Sequence, residues 1–320
     1  MVLRQQGVAL ITALLIVAIA TVAAVAMATR QQMDIRRTAG MLHGEQAYAY
    51  ILGAESWAQV VLARDKRDSK IDTLYENWAT QPPVSIVEGG SIIGRIVDLQ
   101  GRFNVNGLVD NKGVADKDAI ARYKRLLRQL DLDDSLAESL ADWIDKDINV
   151  LFPNGAEDGT YLGVSPPYRA ANRPLVDISE LRLIKGYEPD IIQKLRPFIA
   201  ALPEITPLNV NTASAEVLMT VAENMSVADG EAMIAARGEE GFQTVAKFTG
   251  LKELSGKKQL TTGKLGVESD WFLMVGEANI GQSRARLASL IQRTSNATLV
   301  VRRQREFLEP VVAPVPDQNE

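Results

Sequence analysis

A single long apolar run stands near the beginning of the chain. Residues 8–28 are apolar apart from Thr12 and Thr21. A helix rises about 1.5 Å per residue, so a run of this length reaches about 30 Å and matches the hydrocarbon core of a bilayer. The two threonine hydroxyls can bond to carbonyls of their own helix, so no polar group is left unpaired in lipid. The pattern predicts a transmembrane helix over 8–28.

The helical pattern continues beyond the apolar run without a proline. Small or apolar residues recur three or four positions apart at Ala47, Ile51, Ala54, Ala58 and Val61. This spacing places them on one side of a helix, which can pack against a globular domain. An export signal would instead have a shorter apolar core followed by a cleavage site of small residues. The pattern therefore predicts a membrane anchor that continues as a stem helix over 29–65.

Strand-like and helical segments divide the rest of the chain. Asp65 to Lys70 predicts a solvated break, and residues 84–87 and 92–99 predict a β-hairpin around Gly89 and Gly90. Helical periodicity then dominates, and strand-like sequence returns only near the end. The predicted fold class is α+β: an antiparallel sheet built from 66–102 and 268–308 packs on the stem and carries an inserted α-helical domain over 103–267. Residues 309–320 are rich in proline and polar residues and predict a disordered tail.

Two short motifs indicate a duplication inside the insert. FNVNG at 103–107 and LNVNT at 208–212 each precede a pair of short helices. The second copy resembles the helix-hairpin-helix (SAM-like) modules of competence DNA receptors, in which a Gly-hydrophobic-Gly turn points backbone N–H groups at a phosphate. Residues 223–227 occupy that turn and lack the glycine pair. A membrane-anchored DNA receptor remains the alternative function at this point.

Composition weakens both nucleic-acid binding and catalysis. The formal net charge is −5, whereas a nucleic-acid binder needs a basic face to neutralise phosphates. The chain has no cysteine, which removes disulfides and thiolate metal sites. Its one histidine, His43, lies in the stem, far in sequence from any acidic cluster. Phosphate loops, nucleophile elbows and His-based metal motifs do not occur, so the sequence predicts neither an enzyme nor a nucleic-acid partner.

An acidic loop in the insert has the spacing of oxygen ligands. The segment DKDIN at 145–149 places oxygen-bearing side chains at alternate positions, as many calcium loops do. It is not an EF-hand, because Val150 replaces the required glycine and Ala156 stands where the bidentate glutamate belongs. Glu157 and Asp158 follow and could supply further carboxylates. Spacing alone leaves both a solvated acidic loop and a cation site open.

Taken together, these segments resemble one family, the minor pseudopilins of type II secretion systems known as general secretion pathway protein K. The similarity extends over nearly the whole chain. It rests on a leader ending at Gly7 before VALITALLIVA, on WIDKD, GAEDGTY and PPYRAANRP in the insert, on PLNVNTAS, and on the terminal strands FLMVGEA and ARLASLIQR.

The resemblance implies a processed amino terminus. A prepilin peptidase would cut after Gly7, removing residues 1–7 and leaving Val8 as an N-methylated terminus. A residue without Cβ lets the backbone approach a membrane-embedded protease closely. The resemblance also orients the anchor in the bacterial inner membrane, with the leader in the cytoplasm and the globular part in the periplasm.

The resemblance also implies a position and a set of partners. Pilin-like subunits usually carry glutamate as the fifth mature residue, where its carboxylate neutralises a neighbour's terminal amine, but this position is Thr12 here. The K class characteristically lacks the glutamate, which suits a subunit at the tip of a fibre. The implied partners are the I-class and J-class minor pseudopilins, the major pseudopilin, the prepilin peptidase and the inner-membrane secretion platform.

Finally, the resemblance implies a structural calcium ion. Members of the K class bind calcium in the inserted region. In this chain we assign the ligands to the carboxylates of Asp145, Asp147, Glu157 and Asp158.

Overall fold

The computed structural model of the protein describes residues 6–258, 260–305 and 309–311. The α-helices are α1 Gln6–Asp68, α2 Lys117–Gln129, α3 Leu136–Ile144, α4 Asp158–Tyr161, α5 Pro189–Leu195, α6 Ala215–Leu218, α7 Val227–Arg237 and α8 Val245–Thr249. The strands are β1 Ser85–Val87, β2 Gly90–Asp98, β3 Phe103–Asn104, β4 Ile199–Ala200, β5 Leu208–Asn209, β6 Leu265–Gly266, β7 Trp271–Ile280, β8 Ser283–Arg293 and β9 Thr298–Gln304. Short 3-10 helices lie at Val105–Leu108, Ile178–Leu183, Met219–Val221, Lys252–Leu254 and Thr262–Lys264.

Helix α1 has an exposed apolar half and a packed half. Within the described residues it is the one helix long and apolar enough to cross a membrane, with a mean hydropathy of 2.8 in its most apolar window, none of which is buried. The hydroxyls of Thr12 and Thr21 donate to the carbonyls of Ala9 and Val17 at 3.0 and 2.8 Å, as the sequence predicted. A helix of 63 residues reaches about 95 Å, so α1 can both span a bilayer and support a domain beyond it.

The second half of α1 packs on one face of a five-stranded antiparallel sheet with the order β1-β2-β7-β8-β9. Ala47 and Ile51 are buried against Ala278 and Leu287. Farther along the helix, Ala58 and Leu62 form a second buried cluster with Trp78, Ile96, Phe272, Met274 and Ile291. The predicted stem positions are therefore those that pack on the sheet.

The insert lies between two neighbouring strands of this sheet. Strand β2 pairs with β7 along its whole length, from Gly90 opposite Ile280 to Asp98 opposite Phe272. The chain between β2 and β7 forms the helical domain, which has its own core of buried residues. The predicted α+β architecture is confirmed, with the sheet assembled from segments on both sides of the insert.

A buried polar network joins stem, sheet and insert. The Asp98 carboxylate accepts hydrogen bonds from Ser269 Oγ at 2.6 Å, Thr212 Oγ1 at 2.5 Å and Asn209 Nδ2 at 3.1 Å. Burial raises the pKa of Asp98, while the two hydroxyl donors act to lower it. The network ties the end of β2 to the second NVN motif and to the chain that leads into β7.

Charged groups from the end of α1 complete this junction. The Arg293 guanidinium lies 2.6 Å from carboxylate oxygens of both Asp65 and Asp72 and donates to the Ser269 carbonyl at 2.7 Å. The predicted break over 65–70 is therefore wrong for 65–68, because α1 continues to Asp68. Asp65 is also not solvated, since it pairs with Arg293 inside the molecule. Since the end of α1 meets the insert here, the insert sits at the end of the head farthest from the apolar half of α1.

The two NVN motifs form equivalent structures. Asn106 Nδ2 donates to the Leu175 carbonyl and its Oδ1 accepts from the Leu175 amide, both at 2.8 Å. Asn211 makes the same pair of bonds with the backbone of Phe242, at 3.0 and 2.7 Å. Each motif also begins with a two-residue strand in a parallel pair, β3 with β4 and β5 with β6. The structure thus bears out the duplication that the repeated letters indicated.

The beginning of the predicted disordered tail is packed. Glu309 is 8% exposed, and its carboxylate pairs with Arg95 at 2.8 Å and Arg102 at 2.9 Å. Arg95 Nε also donates to the Pro310 carbonyl, and Val311 is 7% exposed. The prediction of a disordered tail from residue 309 is therefore wrong for 309–311, because two guanidinium groups hold this segment. Residues 312–320 lie outside the described residues.

Candidate functional site

The acidic loop connects α3 to α4 at the surface of the insert. Helix α3 ends at Ile144, Asp145 follows it directly, and Glu157 precedes α4. Ser135 occupies the position before the first residue of α3 and makes no side-chain capping hydrogen bond. The two ends of the loop return to one place, which brings Asp145 and Glu157 near each other although eleven residues separate them.

Asp145 and Glu157 carry buried oxygens without partners. Asp145 is 1% exposed and Glu157 is 4% exposed. Within the described residues, Asp145 Oδ1 and both carboxylate oxygens of Glu157 lack a hydrogen-bond partner. Burial, together with nearby carboxylates, raises the pKa of each group to about 7. Burying hydrogen-bond acceptors without partners is costly. A cation bound between these oxygens would remove that cost.

Two further residues belong to the same place and were not predicted. Asp142 is fully buried in α3, and its carboxylate accepts the Leu151 amide at 3.1 and 3.2 Å. Burial raises the pKa of Asp142 to about 6. Asn172 donates from Nδ2 to the Asp147 carbonyl at 2.9 Å, while its Oδ1 is buried without a partner. Asp142 directly precedes the WIDKD motif at 143–147 and lies in the last turn of α3. Nothing in the local sequence singles out Asn172.

The other two predicted ligands have local hydrogen-bond or ion-pair partners. Asp147 is exposed, and its carboxylate accepts from the backbone and side chain of Asn149 at 2.7 and 2.8 Å. Asp158 pairs with Arg169 at 3.1 Å and accepts the Ala170 amide at 3.0 Å. The structure therefore brings together Asp145, Glu157 and Asp142. Asp147 lies near enough to raise the pKa of all three, and Asp158 near enough to raise that of Glu157, while both keep their local contacts.

These donors fit a hard cation. Carboxylate, amide and carbonyl oxygens are the ligands of calcium, and the unpartnered atoms here are oxygen acceptors. Gly155 keeps the loop tight, since an added Cβ would lie 2.1 Å from Asp142 Oδ2 and 2.7 Å from the Leu151 backbone. The calcium ion and its ligands stay a prediction, to which the structure adds the buried carboxylate of Asp142.

The close approach at Gly155 leads to a prediction. Gly155→Ala should displace the loop from Asp142 and weaken calcium binding by an order of magnitude or more, because oxygen ligands would no longer converge. Isothermal titration of the full chain in detergent measures this. Gly159→Ala is the matched control, since a Cβ there meets nothing within 4 Å. Equal calcium affinity in the Gly155 variant and the wild type would contradict the assignment.

A second carboxylate group is structural. Within the described residues, Asp65, Asp72 and Glu76 are the three carboxylates whose oxygens all lie within 4.8 Å of one another. Arg293 pairs with the first two, and Glu76 accepts from Trp78 Nε1 at 3.0 Å. A guanidinium already supplies the positive charge there, so this group differs from the acidic loop. Within the described residues, the carboxylates of the acidic loop do not form a group of three whose oxygens all lie within 4.8 Å of one another.

The amino-terminal residues and the DNA-binding alternative can also be assessed. Gly7 and Val8 lie in the first turns of α1, which begins at Gln6, and residues 1–5 lie outside the described residues. In the insert, the turn before α7 is closed by a capping box in which Ser226 and Asp229 exchange hydrogen bonds. A carboxylate therefore occupies the helix terminus that a phosphate would need.

These features define a class of protein: an α+β subunit with one membrane-length helix, a head built on that helix, and a helical insert at the far end of the head. Residues 101–204 and 208–268 match two family models, each described as type II secretion system protein K. The chain belongs to the type II secretion system protein K family.

Relatives support this over nearly the full length. The chain is 41% identical to the type II secretion system protein K of Pseudomonas aeruginosa over 93% of this chain and 91% of that protein. It is 35% identical to that of Klebsiella pneumoniae, over 94% and 96% of the two chains. A solved structure, the GspK-GspI-GspJ complex of the enterotoxigenic Escherichia coli type 2 secretion system, contains a similar chain with a TM-score of 0.77 and 29% identity. The match covers 85% of this chain and all of that one.

Proposed function

We propose that this chain is a minor pseudopilin that caps the tip of the periplasmic pseudopilus and helps to initiate or limit its assembly. It acts by assembly and is not an enzyme. The observation that carries the proposal is the position of the insert at the end of the head opposite the membrane helix. A subunit inside a fibre has neighbours above and below, whereas a bulky insert at the far end is accommodated most simply where no upper neighbour exists.

Thr12 supports the same position. In a bundle of membrane helices, a buried amine needs a carboxylate partner, and Thr12 donates its hydroxyl to its own helix instead. A subunit with this residue cannot neutralise the amine of a preceding subunit. Being first avoids that cost, while its own Val8 amine can pair with the glutamate of the next subunit.

The partners follow from this assignment. The head would bind the I-class and J-class minor pseudopilins, as GspK does in the GspK-GspI-GspJ complex. The major pseudopilin would continue the fibre below, and the inner-membrane platform would receive the anchored subunit. The head would lie in the periplasm, with α1 crossing the inner membrane once. The DNA-receptor alternative is disfavoured by the carboxylate of Asp229 at the start of α7.

The insert would carry a structural calcium ion. Asp145 and Glu157 would bind it directly, with Asp142 and Asn172 as further oxygen donors and with Asp147 and Asp158 at the border of the site. Because the loop carboxylates are not tightly gathered, binding would draw the two ends of the loop together. The ion would compensate buried negative charge and fix the loop between α3 and α4.

The tip assignment predicts a location. Gold labelling of a tag at the carboxyl terminus, in pseudopili sheared from cells, should mark one end of each fibre. Thr12→Glu should leave the head folded and secretion at most mildly reduced, whereas deletion should impair secretion and change the number or length of overproduced pseudopili. Label spaced along the shaft would contradict the capping role.

Processing gives an independent prediction. In cells with a prepilin peptidase the chain should lose residues 1–7 and carry N-methylated Val8, and Gly7→Val should block the cut because a branched side chain obstructs the protease. Mass spectrometry of the membrane-extracted protein measures both changes. Val2→Ala is a control within the leader and should be processed normally. An intact Met1 terminus beside an active peptidase would exclude the pseudopilin assignment.

A further inference from the structure

An aromatic groove lies between α1 and the outer part of the sheet at β2. Its volume is about 480 Å³, which is within the range of sites that enclose small ligands. Trp57, which is 50% exposed, and Trp78, which is buried, both line it. Its lining is mostly apolar and also includes Tyr50, Pro82, Pro83 and Ile96. Aromatic grooves of this kind bind proline-rich segments in the extended polyproline II conformation.

The edge of β2 beside this groove has no neighbouring strand. Strand β1 pairs only with Gly90 to Ile92, whereas β2 continues to Asp98. In the part of the chain that the structure describes, no strand pairs with the outer edge of residues 93–98. An unpaired edge offers backbone groups to other chains, and proteins commonly cover such edges with a loop or a helix. A segment that covered this edge would lie beside the groove.

The carboxyl-terminal chain runs toward this edge. The strand registers form one row across the sheet through Gln304, Ala288, Val275 and Arg95. The row spans three inter-strand spacings, about 14 Å. Arg95 Nε donates to the Pro310 carbonyl, and the Arg95 guanidinium pairs with Glu309. Between Gln304 and Pro310 the chain has therefore passed from β9 to β2, and the next residues meet the free edge.

Segment 309–311 and the groove lie on opposite faces of β2. Side chains alternate between the faces of a strand, and Ile96 packs against Ala58 of α1. The Arg95 side chain therefore points to the other face, where it holds segment 309–311. Arg95 also borders the groove. Only the free edge of β2 separates the end of the packed segment from the groove.

The remaining chain is long enough to round this edge. Packed layers are about 10 Å apart, which about three extended residues can span. Starting from Val311, residues 312–314 can pass the edge, and Val315 and Pro316 then reach the groove.

We propose that the aromatic groove is the binding site of the chain's own segment VAPVP, residues 312–316, which wraps around the edge of β2. The segment has two prolines and no charge, which suits both the polyproline II conformation and an apolar groove. Docking covers the β2 edge and Trp57 and fastens α1 to the sheet, so this face of the head is closed to other chains. The inference depends neither on the tip assignment nor on calcium.

Disulfide cross-linking tests the position of the segment, since the natural chain has no cysteine. Gly53 lines the groove, and a Cβ added there meets nothing within 4 Å. On mild oxidation of the full chain in nonionic detergent, Gly53→Cys with Val315→Cys should form an intrachain disulfide. It should do so at least about tenfold faster than a control pair, because a docked segment keeps the two sulfurs within reach. Peptide mass spectrometry measures the rate.

The control pair is Gly44→Cys with Val315→Cys. A Cβ at Gly44 also meets nothing within 4 Å, but Gly44 lies about 14 Å farther along α1 toward the membrane. Equal rates for the two pairs would overturn the proposal. Disulfides between chains, in a yield that rises with protein concentration, would overturn it as well, because the groove would then take the segment of a second copy.

Tryptophan fluorescence provides a test without cysteine. Trp57 is 50% exposed, whereas the other three tryptophans of the chain are each 2% exposed, so acrylamide quenching reports on Trp57. Val312→Asp with Val315→Asp should raise the quenching constant about twofold, because charged side chains are costly to bury in an apolar groove. Gln318→Asp with Asn319→Asp adds the same charge beyond the docked residues and should leave quenching unchanged.

These tail variants leave the packed segment 309–311 intact, so the head keeps its fold in both. Equal quenching of the wild type and the Val312→Asp, Val315→Asp variant would show that Trp57 is open in the wild type and would overturn the proposal. An equal rise in both tail variants would overturn it too, because the effect would then come from charge alone.

Discussion

Calcium should raise the unfolding temperature of the full chain, and Asp145→Asn combined with Glu157→Gln should abolish this rise. The bound ion would exist only in the folded state, so it stabilises by mass action. At calcium a hundredfold above its dissociation constant the gain is about 2.7 kcal/mol. Differential scanning calorimetry in detergent, with calcium or with a chelator, measures the difference.

The same double substitution should have the opposite effect without calcium. Asp145 and Glu157 carry buried oxygens that lack partners in the described structure, so replacing two carboxylates by amides removes an unfavourable burial of charge. The variant should therefore unfold at a higher temperature than the wild type in chelator and at a lower one in calcium.

Two control variants separate the loss of calcium ligands from the loss of any negative charge. Asp190→Asn changes an exposed carboxylate in the first turn of α5 and should alter neither curve. Asp158→Asn breaks the pair with Arg169 and should reduce the calcium gain less than the double substitution does. If chelation leaves the unfolding temperature of the wild type unchanged, the acidic loop does not bind calcium.

Arg293→Met should destabilise the chain by about 3–5 kcal/mol, the cost of removing one partner of a buried ion pair. Arg293 is 1% exposed, and its guanidinium also lies 4.6 Å from the centre of the Phe272 ring. Without it, Asp65 and Asp72 would face each other at the junction of stem, sheet and insert. Urea unfolding of the full chain measures the change.

The matched control is Arg284→Met on the same strand. The Arg284 side chain is 58% exposed and pairs with Glu277, so its loss should change the unfolding free energy by less than about 1 kcal/mol. Adding Asp72→Asn to Arg293→Met should restore part of the stability, because one of the two unpaired charges is removed. Equal effects of the two arginine variants would show that the junction charges do not hold the domains together.

The periodic segments could be predicted from sequence because their structure depends on neighbouring residues. The apolar run and the three- and four-residue spacing from Ala47 to Val61 predicted one continuous helix, and alternation around Gly89 and Gly90 predicted the hairpin. The repeated NVN letters predicted a duplication that the side chains of Asn106 and Asn211 bear out. In each case the signal lies within a few residues of the chain.

The acidic loop was predicted only in part. Carboxylates at alternate positions indicated cation chemistry, and Asp145 and Glu157 do carry buried oxygens without partners. Asp142 was missed because a carboxylate inside a helical pattern is most often solvated. Asn172 was missed because it lies far along the chain. Asp147 and Asp158 have the right residue type, but local amides and Arg169 engage them.

By itself, the sequence determined the membrane-length helix, the strands, the helical insert and the residue types available for a cation. Only the tertiary structure decided that Asp65 turns inward to Arg293, that Glu309 binds Arg95 and Arg102, and which oxygens of the acidic loop are buried. Periodicity is set by backbone geometry over one or two turns, and so it can be read from local sequence. The partner of a buried charge is chosen by packing between segments that are distant in the chain, and the energy of that charge depends on this partner and on exclusion of water.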